Sequence, residues 1–286
     1  MEAIRNILTF DVEEYFQVSG FAGAVRGREA SFASRVVPQT LRVLDLLAEH
    51  GARATFFVLG SAARGCPDLV REISRRGHEV ASHGFAHECV YDHSPAEFIA
   101  DLRRSREFLE ALSDTAVCGY RAPSFSITHR SRWALRILAD EGFAYDSSIV
   151  PIRHDRYGIP GAISHPAPME IGDGRSILEA PPLTRATPFG RMGAGGGGWF
   201  RLFPLWWTTG ALRRANAVGQ PGVVYFHPWE FDPGQPRVRG VPALARFRHR
   251  VGLDGAEAKL RRLLSEGRFG SMAGVLGPFG PGSPSP

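Results

Sequence analysis

The chain has 286 residues, 43% of them hydrophobic and 22% charged, with a formal net charge of +5, which is enough apolar material for one large domain with a real core. No apolar run reaches the roughly 18–20 residues that span a bilayer, so a transmembrane segment is not expected, and the positive charge is scattered over amphipathic stretches (Arg71–Arg76, Asp101–Arg104, Lys259–Arg262) that read as solvated helix faces rather than a nucleic-acid surface. Three cysteines, Cys66, Cys89 and Cys118, form no metal or framework spacing; with a start, Met1 to Asn6, that runs into the first strand without signal-peptide regions, they lead to the expectation of a cytoplasmic protein.

The first predicted element is a short apolar strand, Ile7 to Phe10, running into three acids, Asp11, Glu13 and Glu14. Strand side chains alternate faces, so Asp11 and Glu13 are expected on one side and Glu14 on the other. A helix follows over 38–50, with Leu41, Leu44, Leu47 and Ala48 at helical spacing and Gly51 as its stop. Residues 54–59 read as a buried strand, 67–76 as a helix ended by Gly77, and 79–82 as a strand that delivers His83. Helices over 102–112 and 131–141 continue the alternation. Strand and helix in turn imply parallel strands joined by right-handed crossovers. From 151 to 200 the periodicity fades into a Gly- and Pro-rich loop, including the run Gly193-Ala194-Gly195-Gly196-Gly197-Gly198, which lacks the Lys-Ser/Thr of a phosphate cradle. Trp199, Phe200, Trp206 and Trp207 follow, read as core packing ahead of sugar stacking. The domain is drawn over 1–276, with a disordered Pro/Gly/Ser-rich tail over 277–286.

Reactive residues cluster at the strand ends. His83 and His87 stand four residues apart, a spacing that on one turn of helix puts both imidazoles on one face, about 5–6 Å apart, suited to a shared divalent ion. Arg121 sits in the turn Gly119-Tyr120-Arg121-Ala122-Pro123, and the apolar run Val223-Val224-Tyr225-Phe226 ends on His227. In parallel α/β barrels such residues gather at the carboxyl ends of the strands.

In this order the residues resemble the polysaccharide deacetylase family, carbohydrate esterase family 4, whose motifs are a Thr-Phe-Asp-Asp start, a His-x-x-x-His pair, an Arg-x-Pro turn and a Leu-x-His ending. The Phe-Asp-Val-Glu start, the Arg-Ala-Pro-Ser-Phe turn and the His-Pro-Trp-Glu-Phe ending are closer still to deacetylases found beside exosortase and exopolysaccharide systems. The resemblance implies an α/β fold, a distorted (β/α) barrel with about seven parallel strands in a single domain, and metal-dependent removal of N-acetyl groups from an N-acetylhexosamine glycan. It also implies Zn²⁺, with Co²⁺ or Ni²⁺ as alternatives, held by His83, His87 and a carboxylate. Asp11 would be the general base, Arg121 would orient it, and His227 would be the general acid, paired with Asp146. Val12 stands where the family has its second Asp, so the third ligand passes to Glu13 on the face shared with Asp11, with Glu14 in reserve. Tyr157, Trp229 and Leu178 are candidates for the acetyl pocket. The substitution at Val12 keeps a second reading open, a cyclic imide or ureide amidohydrolase of the same fold; a third is a non-catalytic envelope-assembly scaffold, against which the presence of Asp11, His83, His87, Arg121 and His227 together argues.

Overall fold

The computed structural model describes residues 4–277, so the tail expected over 277–286 lies, beyond Gly277, outside the described residues. The strands are β1 (Asn6–Val12), β2 (Thr55–Val58), β3 (Glu79–Ser82), β4 (Gly119–Tyr120), β5 (Tyr145–Asp146), β6 (Ala167–Gly172), β7 (Arg175–Glu179), β8 (Thr184–Thr187), β9 (Gly190–Gly193), β10 (Val223–Phe226) and β11 (Phe269–Gly270). Seven run parallel in the order β10, β1, β2, β3, β4, β5, β7, with β11 added beside the start of β1 and β6 antiparallel along the outer edge of β7. Beyond β7 the chain returns to β10, where Leu183 N–H donates to the Val223 carbonyl at 2.8 Å and Tyr225 N–H to the Gly195 carbonyl at 2.7 Å. Those bonds close the sheet into a distorted barrel.

Every residue of β1 is buried, as expected of a parallel strand covered on both faces. The pleat sorts its side chains. Ile7 joins Phe57, Ala81, Tyr145, Leu178, Ala180 and Val223 in the barrel interior, plugged at the amino-terminal end by Met272. Leu8, Phe10 and Val12 instead join Phe56, Val58 and Val80 against the surrounding helices. Val12 is thus a core residue on the side of the strand away from the barrel axis.

The helices Val36–Glu49, Pro67–Arg75 and Trp133–Asp140 fall close to their predicted positions. The helix predicted over 102–112 begins earlier, at Pro95, because Ser94 and Glu97 form a capping box ahead of the apolar spacing. The stretch read as a loop from 151 to 200 holds four strands. β6 is an edge strand of alternating partial burial, and Pro168 sits there without disturbing a central ladder. The glycine run is not superficial. Residues 193–197 are buried, and a Cβ on Gly196 would lie 1.6 Å from the Tyr225 carbonyl oxygen. Only glycine allows the chain to press its backbone this closely against β10.

Candidate active site

The carboxyl ends of β1, β3, β4 and β10 meet at one end of the barrel and bring Asp11, Glu13, His83, Arg121 and His227 together. Asp11 is in register with Phe57 on β2 and shares the interior parity of Ile7. Arg121, which follows β4, is 0% exposed. Its Nη1 donates to Asp11 Oδ1 at 2.6 Å and to Thr9 Oγ1 at 2.8 Å, and its Nη2 and Nε reach the hydroxyl and carbonyl of Ser147. The guanidinium also lies over the Phe57 ring at 4.1 Å. This fork fixes one oxygen of Asp11 and leaves Oδ2 facing His227, with Nε2 3.9 Å away.

The alternation predicted for the three acids continues past the last strand residue. Glu13 Oε2 lies 2.6 Å from His87 Nε2 and 3.9 Å from His83 Nε2, and Oε1 lies 3.6 Å from His227 Nε2. Glu14 points away and accepts hydrogen bonds from Ser34 Oγ and from the N–H groups of Arg35 and Val36. It satisfies the first turn of the helix Val36–Glu49, where carboxylates are favoured. Glu14 is therefore removed as a reserve ligand.

The His83–His87 pair corrects the helical expectation. It occupies an irregular turn after β3, with Gly84 at φ 75° and His87 at φ 59°. The turn is braced from two sides. Gly60 and Ser61 N–H groups donate to the carbonyls of Gly84 and Phe85, while Asp101 and Ser105 of the helix Pro95–Ser113 bond to Phe85 N–H and the Gly84 carbonyl. A carbonyl can only accept, so the 2.8 Å contact from His83 Nδ1 to the Arg121 carbonyl puts the proton on Nδ1 and leaves the Nε2 lone pair directed into the site. The candidate ligand atoms of Glu13, His83 and His87 all lie within 4.8 Å of one another, and two imidazoles with a carboxylate are a familiar donor set for Zn²⁺.

Electrostatics fit that arrangement. Burial pushes the Glu13 carboxyl up, but His87, His227 and His83 together bring it down to about 2. Burial drives His83 down to about 4, so it stands neutral, as a ligand must. Burial likewise pushes His227 down, yet Glu13, Glu230 and Asp11 outweigh it and raise the imidazole to about 9.

The partner expected for His227, Asp146, is elsewhere. Tyr145 lies in the barrel interior and Ser147 Oγ meets Arg121, so the pleat turns Asp146 to the opposite face. There it accepts from the Ser148 hydroxyl at 2.5 Å, and its neighbour across the β5–β7 ladder is Glu179. His227 Nδ1 instead donates to Glu230 Oε1 at 2.7 Å. Arg201 Nε donates to the other oxygen of Glu230 at 2.6 Å, in a pair almost wholly buried. Sequence reasoning missed both residues. The signal for Glu230 was the spacing His227-Pro228-Trp229-Glu230, a capping box in which Glu230 also accepts from His227 N–H. Arg201 arrives on the short helix Gly197–Leu202 that the glycine run packs against β10.

Of the three pocket candidates, Trp229 is at the site: its ring stacks on His227 at 5.0 Å and its Nε1 donates to Glu13 Oε1 at 3.3 Å. Tyr157 packs beside Phe125. Leu178 belongs to the apolar interior.

Glu230→Gln keeps the size of the side chain and removes its charge. Turnover is expected to fall about 10²-fold, within the contribution of a positioned general acid, with metal content unchanged; paired rate and metal assays check this, and an unchanged rate would remove Glu230 from the machinery.

Two sequence profiles match the chain. One, described as polysaccharide deacetylase, covers residues 31–141, which include His83, His87 and Arg121; the other, described as a domain of unknown function (DUF3473), covers 147–277. A peptidoglycan-N-acetylglucosamine deacetylase of Bacillus cereus is 30% identical over 96 residues, 33% of this chain and 35% of that protein. A chitooligosaccharide deacetylase of Rhizobium leguminosarum is 37% identical over 94 residues, 33% and 40% of the two chains. The chain thus matches two-fifths or less of the length of these relatives. The crystal structure of a Mycobacterium smegmatis protein, described as a candidate polysaccharide deacetylase, superposes with a TM-score of 0.62 at 22% identity over 99% of this chain and 94% of that one, a likeness of fold. The part of the chain that carries both imidazoles and the arginine turn, residues 31–141, thus matches the polysaccharide deacetylase family.

Proposed function

We propose that the chain is a divalent-metal-dependent N-deacetylase acting on N-acetylhexosamine units of a glycan during exopolysaccharide synthesis. The observation that carries the reading is the convergence of Glu13, His83 and His87 with Asp11 and His227 on their flank. The names of the relatives support an N-acetylated glycan as substrate, and the exopolysaccharide setting rests on the resemblance carried by the Arg-Ala-Pro-Ser-Phe and His-Pro-Trp-Glu-Phe segments. Three free cysteines support a reducing, cytoplasmic compartment.

Glu13, His83 and His87 would hold the ion, most simply Zn²⁺ with Co²⁺ or Ni²⁺ also accepted by such a donor set. When bound, the ion supplies Lewis acidity to the attacking water and to the acetyl carbonyl. Asp11 Oδ2 takes the proton of the water as its oxygen adds to the carbonyl carbon; Arg121 holds Asp11 in place through its bond to Oδ1. As the C–N bond breaks, His227 Nε2 gives its proton to the departing amine, and Glu230, held by Arg201, keeps the imidazole oriented with Nδ1 protonated. Trp229 closes the wall behind His227 and Glu13. The products are acetate and a free amino sugar. The imide-hydrolase reading rested on Val12, and its place in the core with Glu13 beside both imidazoles supports the metal-dependent reading over it; the convergence of Asp11, Glu13, His83, His87 and His227 supports an enzyme over a scaffold.

The test is metal content. Protein purified without an affinity tag and offered Zn²⁺ is expected to hold about one ion per chain, with Glu13→Ala and His83→Ala losing it and Glu14→Ala retaining it. A metal-free wild type, or retention in both site variants, would contradict the proposed site.

A further inference from the structure

Fifty consecutive residues, Ala180 to Trp229, contain no Asp or Glu, and on the outer surface they build a face that the deacetylase chemistry does not use. The β8–β9 hairpin lies against the helix Leu205–Ala217, with Trp207 Nε1 donating to the Gly193 carbonyl at 3.0 Å. The Arg185 guanidinium sits over Trp207 at 4.5 Å and Trp206 at 5.4 Å. Arg185, Trp206, Arg213, Arg214 and Ala217 line one open surface cavity, and none of these three arginines has an ion-pair partner among the described residues. Burial and the charge of Arg214 push Arg185 below its ordinary value, as expected where cations gather without a counter-charge.

The same acid-free segment also holds out large apolar side chains. Phe189 is 100% exposed, Val218 74% and Trp206 57%. Phe189 is at the hairpin tip, in a turn closed by its own N–H donating to Thr187 Oγ1 and by the Thr187 hydroxyl donating to the Gly190 carbonyl. Two strand residues and the turn carry it roughly 10 Å beyond Arg185.

An anionic glycan would engage the arginines and Trp206 but leave Phe189 and Val218 in water. A bilayer interface matches both halves, since aromatic rings settle at headgroup level and arginines meet anionic lipid phosphates. We propose that this face docks the protein on an anionic lipid membrane, with Phe189 and Trp206 inserted into the interface and Arg185, Arg213 and Arg214 on the headgroups. No described helix is long and apolar enough to cross a membrane, so the attachment is peripheral.

The experiment is co-sedimentation of the full chain with vesicles of phosphatidylcholine alone and of phosphatidylcholine with phosphatidylglycerol. The protein is expected to sediment with the anionic vesicles and be released by salt. Arg213→Gln with Arg214→Gln should weaken binding about 25-fold, at about fivefold per cation, and Phe189→Ser should weaken it separately by about fivefold or more. All three positions are exposed, and unchanged melting temperatures with unchanged acetate release from a soluble oligosaccharide show that the fold is intact. Failure to bind anionic vesicles, equal binding by wild type and both variants, or capture by a soluble polyuronate in place of vesicles would each overturn the proposal.

Discussion

Asp11→Asn is expected to lower the turnover of the metal-loaded protein about 10³-fold, in the middle of the range for loss of a positioned general base. The asparagine keeps the shape of the side chain and still offers an oxygen to Arg121 Nη1, whose bond to Asp11 Oδ1 is 2.6 Å. What disappears is the second carboxylate oxygen, the one left free to take a proton 3.9 Å from His227. Asp11 is not among the three residues whose ligand atoms converge, so metal content should match wild type. Substrate binding should change little, placing the loss in kcat. Steady-state kinetics with metal analysis on the same sample check this; a variant that turns over at the wild-type rate would take the base role from Asp11.

The largest expected loss of stability comes from Arg121→Met. The guanidinium is fully buried, donates to Asp11, Thr9 and Ser147 and stacks on Phe57. Methionine fills part of the volume but leaves Asp11 as a buried carboxylate without its cation. Breaking a buried pair from one side costs about 3–5 kcal/mol, which for a domain of this size lowers the melting temperature by roughly 6–20 °C. Arg121→Lys should recover part of the stability but little of the activity, because one ammonium cannot span Asp11, Thr9 and Ser147 as the fork does. Thermal melts of the two variants beside wild type measure the difference. A melting point within a degree or two of wild type for Arg121→Met would show that the pair contributes little.

What the sequence made legible follows strand parity and short-range spacing. Asp11, Glu13, His83, Arg121 and His227 each lie at or just past a strand end, and an alternating pleat suffices to aim Asp11 and Glu13 inward and Glu14 outward. The same rule excludes Asp146, which sits between two inward side chains, Tyr145 and Ser147, although the family motif points to it. Glu230 was readable from a capping box that begins on a histidine. Arg201 was not, since its position depends on the close approach of the glycine run to β10, and nothing local in a glycine-rich segment distinguishes a buried backbone crossing from a loose loop. The His83–His87 turn was misread as helix because the bracing that holds Gly84 and His87 at positive φ comes from Gly60, Asp101 and Ser105, contacts that sequence spacing does not announce. β6 and β7 were hidden by Pro168 and by flanking glycines.

The most direct test of the proposed metal-dependent deacetylation is to incubate the Zn²⁺-loaded chain with an N-acetylglucosamine oligosaccharide and measure acetate and free amine together, before and after chelation. The expected result is equal amounts of acetate and new amine, lost on chelation, restored when Zn²⁺ is returned, and absent in Glu13→Ala. Acetate release that survives chelation and the Glu13 substitution, or none from any N-acetylated glycan by a fully metal-loaded protein, would contradict it.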